Sequence, residues 1–394
     1  MKVPVLVLFG PTASGKTALL GRLFGKQSCS ENDEGSTALK AEIISADSMQ
    51  VYRGMDIGTA KPSGEDRKRI PHHLIDIRNP SEQFNAGDFV RLAEEACLAA
   101  SGRGALPVVS GGTAFYLKNL VLGLSEAPPS DRGIRLLLKE ELVKRGAASL
   151  MEELAASDPV SAGRIHINDE YRLLRALEVF RLTGRPLSSF ASPWNSPGER
   201  KPVTGKLPAG PGAVSSLQRG CPMSLEKPLS KEANMEEEAL IKNLLNFPCE
   251  ASSPWINPEK INSLTAPFYF RGDFCFRLIG LRRSREELYS RINERTAGMF
   301  NAGLPGEVKR LFEAGYSPDD PGLRAIGYRE FFFREGGAGP WRLSEDLAGV
   351  EALVARNSRR YAKRQITFFS SLPGVMWIDC TEERNLYRGF KPAG

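Results

Sequence analysis

The sequence predicts an α/β fold, a mostly parallel sheet flanked by helices and interrupted by an all-helical insertion domain. Three observations predict it. Short apolar runs alternate with amphipathic stretches over residues 3 to 122, a Gly-rich segment lies between the first run and the first stretch, and residues 131 to 185 keep a helical pattern. Such alternation builds parallel sheets covered by helices, because a parallel crossover needs a connecting element long enough to return along the sheet.

Taken in order, VPVLVLF reads as the first strand, followed by a helix from Lys16, the strand AEIIS, the strand-like HHLIDI, a helix over Ala86 to Ala100, the strand LPVVSG and a helix from Thr113. Within the insertion, Asn168 or Asp169 can cap a helix that Gly184 and Pro186 end. Residues 191 to 273 are rich in Pro, Gly and Ser and lack a period, so most of this segment is expected to be disordered. Phe274 opens the strand FCFRLIGL. Helices are expected from Ser284 to Phe300 and from Pro305 to Ala314, then a basic helix around Arg356 to Phe369 and the strand VMWID. The expected division is therefore 1–128 as α/β core, 129–190 as helical insertion, 191–273 as insert, and 274–394 returning to the core.

At 394 residues with 41% hydrophobic content, the chain can bury more than one core. No stretch approaches the ~18 to 20 uninterrupted apolar residues of a membrane span, and no signal-peptide layout follows Met1, so a cytoplasmic protein without membrane contact is expected. The six cysteines form no CxxC pair, which argues against a zinc site or a disulfide framework. A net charge of +6 is compatible with a polyanionic partner and is common among ordinary soluble proteins.

The Gly-rich segment Gly10-Pro11-Thr12-Ala13-Ser14-Gly15-Lys16-Thr17 fits the pattern G-x-x-x-x-G-K-[ST] between a strand and a helix, which makes the sheet P-loop NTPase-like. Glycines let backbone N–H groups wrap a phosphate, the helix start adds its positive end, Lys16 neutralises charge and the Thr17 hydroxyl can hold Mg²⁺. The loop alone does not say which phosphate compound it binds, and a kinase would use the same residues.

Asp47 follows the second strand at the carboxyl end of the sheet, where open α/β sheets place their ligands. It reads either as a Mg²⁺ ligand or as a general base. Around it runs Ile44-Ser45-Ala46-Asp47-Ser48-Met49-Gln50-Val51-Tyr52-Arg53-Gly54-Met55-Asp56-Ile57-Gly58-Thr59-Ala60-Lys61-Pro62. Further blocks are Pro71 to Asp76, Gly111-Gly112-Thr113 with Tyr116, Asn168 to Arg172, Arg175 to Val179, Gly327 to Glu330, and Arg359 to Gln365. Together these blocks resemble the tRNA dimethylallyltransferase family, in the family's order, over most of the chain except 27–39 and 191–272.

The resemblance implies transfer of a dimethylallyl group from dimethylallyl diphosphate to the N6 amine of the adenosine 3′ of the anticodon. It implies Asp47 as general base, Thr113 as the residue meeting both substrates, and Lys16 with Thr17 and Mg²⁺ as stabilisers of the diphosphate leaving group. A helix N-cap is an equal reading of Thr113. For the RNA, the resemblance points to Arg135 and to Tyr171, Arg172 and Arg175, although an ordinary solvated basic face would look the same. Asp47, Ser48 and Gln50 are candidates for reading the extruded adenine, with Met49 beside them a candidate tRNA contact.

The last basic helix adds Lys363, Arg364 and Gln365, with Tyr361, Phe368 and Phe369 interleaved; a helix packing its aromatic side into a core would share this pattern. Lys61 and Arg329 are further candidate phosphate contacts. Prenyl transfer to free AMP, ADP or ATP is the near alternative and a small-molecule kinase the remote one. A monomer is expected.

Overall fold

The structure, a computed structural model, describes residues 2–25, 40–190, 268–337, 339–372 and 374–380. Most of the 191–273 insert lies outside these residues. The chain divides into two compact units, residues 1–121 with 202–394, and residues 122–201.

The larger unit is built on a seven-stranded sheet. Its strands are β1 (Val3–Phe9), β2 (Ala41–Ser45), β3 (His72–His73), β4 (Leu106–Gly111), β5 (Phe268–Arg271), β6 (Phe274–Arg282) and β9 (Met376–Asp379), in the order β3-β2-β4-β1-β6-β5 with β9 also on β6. All pairings are parallel except the β5–β6 hairpin. β5 and β9 share one edge of β6, along Phe274–Arg277 and Ile279–Arg282 respectively. The strand β5 thus occupies residues that the sequence assigned to the insert.

Helix α1 (Lys16–Phe24) presses Leu19, Leu20 and Phe24 onto Leu6, Leu8, Ile43 and Val108 of the sheet. The other crossovers use α2 (Gly64–Arg69), α3 (Ala86–Gly102), capped by Asn85, and α4 (Ala114–Leu122). After the sheet come α8 (Arg285–Asn301), α9 (Leu304–Glu313), the hairpin β7 (Phe332–Arg334) and β8 (Trp341–Leu343), and α10 (Leu347–Phe369). Val308 and Leu311 of α9 and Val350 and Val354 of α10 enclose Val51, Tyr52 and Met55, so the segment after β2 is held by helices far along the chain.

The HHLIDI stretch yields only the two-residue β3. Leu74 and Asp76 adopt φ of 62° and 58°, which ends the strand. Asp76 is turned to accept from Lys61 at 2.5 Å and Arg67 at 2.9 Å. Lys61 also donates to Tyr52 O and Asp56, and its side chain is 1% exposed. It is committed to this internal cluster, which corrects its reading as a phosphate contact.

The smaller unit consists of α5 (Arg132–Ser157), α6 (Pro159–Ala162) and α7 (Glu170–Thr183) around Leu138, Leu150, Leu154, Leu173, Leu174 and Leu177. Asp169 is the N-cap of α7 and Gly184 its left-handed C-cap. Inside this unit Glu178 is fully buried and accepts from Ser130 Oγ, Asp131 N, Arg135 and Arg175 at 2.6 to 2.9 Å. Burial alone would push its carboxyl up, and these hydrogen bonds more than reverse that, holding it below the usual carboxylate range. Replacing Glu178 by Ala strands two arginines beside a cavity, and the expected loss is ~3 kcal/mol, read as a lower urea midpoint at unchanged slope. Among the described residues, no helix is long and apolar enough to cross a membrane.

Candidate active site

The carboxyl ends of β1, β2 and β4 deliver three segments to one crevice: the loop Gly10–Thr17, the segment Asp47–Gln50 and the turn Gly111–Thr113. Their close approach is set by Gly111, where an added Cβ would lie 2.1 Å from Ala46 O. The loop takes its wrapped shape from left-handed Ala13 and Gly15, with φ of 63° and 100°. Its outer carbonyls are tied down by Arg291 Nε, donating to Ala13 O at 3.1 Å, and Arg283 Nε, donating to Ser14 O at 2.9 Å.

Lys16 Nζ donates to Gly10 O and Pro11 O at 2.9 and 3.0 Å. Burial and the nearby Arg295 guanidinium pull its pKa down to about 8, against an opposing pull from Asp47. Protonated Lys16 is the anion-binding form. The kcat/KM for an anionic substrate should therefore fall above pH 8 in a pH–rate profile of the free enzyme, and Lys16→Arg should remove that limb.

Asp47 Oδ1 accepts from Met49 N at 2.8 Å and Gln50 N at 3.3 Å, which fixes the carboxylate at the start of its turn. Gln50 is itself oriented, accepting from Ser45 Oγ at 2.9 Å and donating to Thr59 O and Ala60 O at 3.3 Å. Thr113 Oγ1 accepts from Ser48 N at 3.0 Å and donates toward Ser48 Oγ at 3.3 Å. Its hydroxyl thus joins the β4 turn to the Asp47 segment. Gln365 bridges two more segments: Oε1 accepts from Thr12 N at 3.0 Å and Nε2 donates to Gly112 O at 2.7 Å. Tyr361 has its hydroxyl pushed up to about 12 by burial and by the charge of Asp47.

Two cavities meet here. One, of about 910 Å³, is lined by Thr12, Ala13, Gly15, Lys16 and Thr17 of the loop together with Asp47, Gln50 and Arg291. The other, of about 310 Å³, is lined by Ser48, Met49, Gly58, Ile326, Gly327 and Arg364 among others. Thr12, Asp47, Thr59, Arg295 and Tyr361 line both.

A family model described as IPP transferase matches residues 50–207 and 253–372. The chain belongs to the IPP transferase family. It is 36% identical over 378 residues to a tRNA dimethylallyltransferase of Geobacter sulfurreducens, covering 96% of this chain and 92% of that one. A tRNA dimethylallyltransferase 1 of Trichlorobacter lovleyi is likewise 36% identical, over 96% and 94%. Among solved structures, the full-length tRNA isopentenylpyrophosphate transferase of Bacillus halodurans is 29% identical with a TM-score of 0.51, covering 96% of this chain and 91% of that one. A eukaryotic dimethylallyltransferase solved acting on tRNA shares the fold at 21% identity and a TM-score of 0.59, over 97% and 75%. The family match leaves residues 208–252 unmatched, inside the insert read from composition.

Of the residues that the sequence singles out for IPP transferase chemistry, Lys16, Thr17, Asp47, Ser48, Met49, Gln50, Arg364 and Gln365 line the two cavities, while Thr113 stands behind Ser48. Arg329 and Lys363 are exposed and line neither cavity. In the helical unit, Arg135 and Arg175 serve Glu178, whereas Arg172 and Tyr171 have exposed side chains, with Arg135 stacked on Tyr171 at 4.5 Å. Sequence reading missed Arg291 and Arg295. Their i, i+4 spacing on the same face of α8 as the buried Leu288 and Ile292 was the available signal. Arg295 opens on the cavity without a hydrogen bond among the described residues, and enclosure by protein lowers its pKa.

Proposed function

We propose that the chain transfers a dimethylallyl group from dimethylallyl diphosphate to the N6 amine of an adenosine next to the anticodon of tRNA. The observation that carries this reading is the junction of the two cavities at Asp47. On one side stand the loop amides, Lys16 and Arg295, which has no hydrogen bond among the described residues, a set suited to a diphosphate. On the other is a smaller chamber with room for a purine base.

In the reaction the amine nitrogen bonds to the allylic carbon as the carbon–oxygen bond breaks, and the diphosphate departs with the electron pair. Departure from an allylic carbon builds positive charge there and negative charge on the leaving group, which Lys16 and Arg295 offset. The Asp47 carboxylate takes the proton released by the amine.

Mg²⁺ fits this arrangement in one place. Thr17 is exposed in the diphosphate cavity, and its hydroxyl has no partner among the described residues. No cluster of three metal-ligating side chains occurs among the described residues, so diphosphate oxygens and water would complete the shell, as is usual for Mg²⁺. When bound, the ion would neutralise leaving-group charge.

The relatives' names favour tRNA over free adenine nucleotides as acceptor. The test offers an anticodon stem-loop, AMP and ATP with labelled donor. Label in the RNA supports the reading, and label in AMP or ATP instead overturns the acceptor assignment.

A further inference from the structure

Glu307, on α9, is 1% exposed, yet no Lys or Arg pairs with it among the described residues. Its Oε2 accepts from Asp56 N at 3.0 Å and Ile57 N at 2.9 Å, and its Oε1 from Gly58 N at 3.2 Å and Tyr328 OH at 2.6 Å. A buried carboxylate is costly, and here four donors satisfy it, three of them consecutive backbone amides from a distant segment. The same segment is packed by the Tyr328 ring. A Cβ on Gly58 would lie 2.5 Å from the Tyr328 ring, so only glycine lets the two meet, and the left-handed Gly327 sits against Gly58 O.

What this clamp holds is the wall of the smaller cavity, for Gly58, Thr59 and Gly327 line it beside Asp47. From Thr59 and Ala60 the hold continues. Their carbonyls accept from Gln50 Nε2, and Gln50 N donates to Asp47 Oδ1.

We propose that Glu307 and Tyr328 are positioning residues which, by clamping Asp56 to Thr59, set the acceptor chamber and, through Gln50, the orientation of the Asp47 carboxylate. Among the described residues no hydrogen bond joins the Gly10–Thr17 loop to Glu307, Tyr328, the Asp56–Gly58 amides or Gln50, so loss of the clamp should act on the acceptor first. The inference rests on the prenyl-transfer reading.

The test compares wild type with Tyr328→Phe, which keeps the ring and removes one donor, and with Glu307→Gln, which removes an acceptor. Label transfer from dimethylallyl diphosphate to an anticodon stem-loop is measured together with amide exchange at Asp56 to Gly58. The expected result is a fall of about tenfold in kcat/KM for the RNA, donor KM unchanged, and faster exchange of those amides in both variants, since small misplacements of reacting groups are costly. Tyr328→Phe remains informative if Glu307→Gln fails to fold. Unchanged acceptor kinetics in a Tyr328→Phe enzyme, or a rise in donor KM matching the loss toward RNA, overturns the clamp alone. Absence of transfer by wild type overturns the prenyl-transfer reading and the clamp's purpose with it.

Discussion

Asp47→Asn should lower kcat for prenyl transfer by about 10²- to 10⁴-fold, the range a positioned general base contributes. The substitution keeps a side-chain oxygen that can still accept from Met49 N and Gln50 N, so the turn and both cavities persist. What disappears is the proton acceptor at the point where the cavities join. Donor KM should therefore stay near the wild-type value. Steady-state kinetics with both substrates varied separates the two parameters, and a donor KM that rises with the loss of kcat would mark Asp47 as a metal or diphosphate ligand instead.

Arg295→Ala should cost about 10²- to 10³-fold in kcat/KM for the donor, as removal of a preorganised group facing developing charge does elsewhere. Arg295 has no hydrogen bond among the described residues and lines both cavities, so its guanidinium is available to an anion. Its removal has a second signature. Arg295 is, after burial, the largest cause that lowers the pKa of Lys16. In the Ala variant Lys16 keeps its proton to higher pH, and the descending limb expected above pH 8 should move upward. Arg295→Lys should restore part of the rate, since it returns the charge without the planar fork.

Much of this site was legible in the sequence because its parts are local. The loop Gly10–Thr17, the Asp47 turn and the Gly111–Thr113 turn each follow a strand, and strand ends in a parallel sheet converge without any further information. The caps of α7 and the helices after β6 were readable for the same reason.

Features that depend on distant partners were not legible. Lys61 read as a phosphate contact and is paired with Asp56 and Asp76. Arg135 looked like an RNA contact on a basic face, yet it meets Glu178 across the helical unit. Gln365 looked like part of an RNA-binding stripe, although the packing of α10 brings its amide between Thr12 and Gly112. In each case a polar side chain has one meaning on its own element and another beside its tertiary neighbour.

The central claim is that the loop holds a leaving diphosphate while carbon, not phosphorus, is transferred. A donor carrying radiocarbon in its prenyl group and radiophosphorus in its diphosphate tests it most directly, with an anticodon stem-loop as acceptor. The account predicts radiocarbon in the RNA and all radiophosphorus released as free diphosphate, in equal amounts. Radiophosphorus in the RNA, or cleavage of the diphosphate without radiocarbon transfer, would contradict it and return the loop to phosphoryl chemistry.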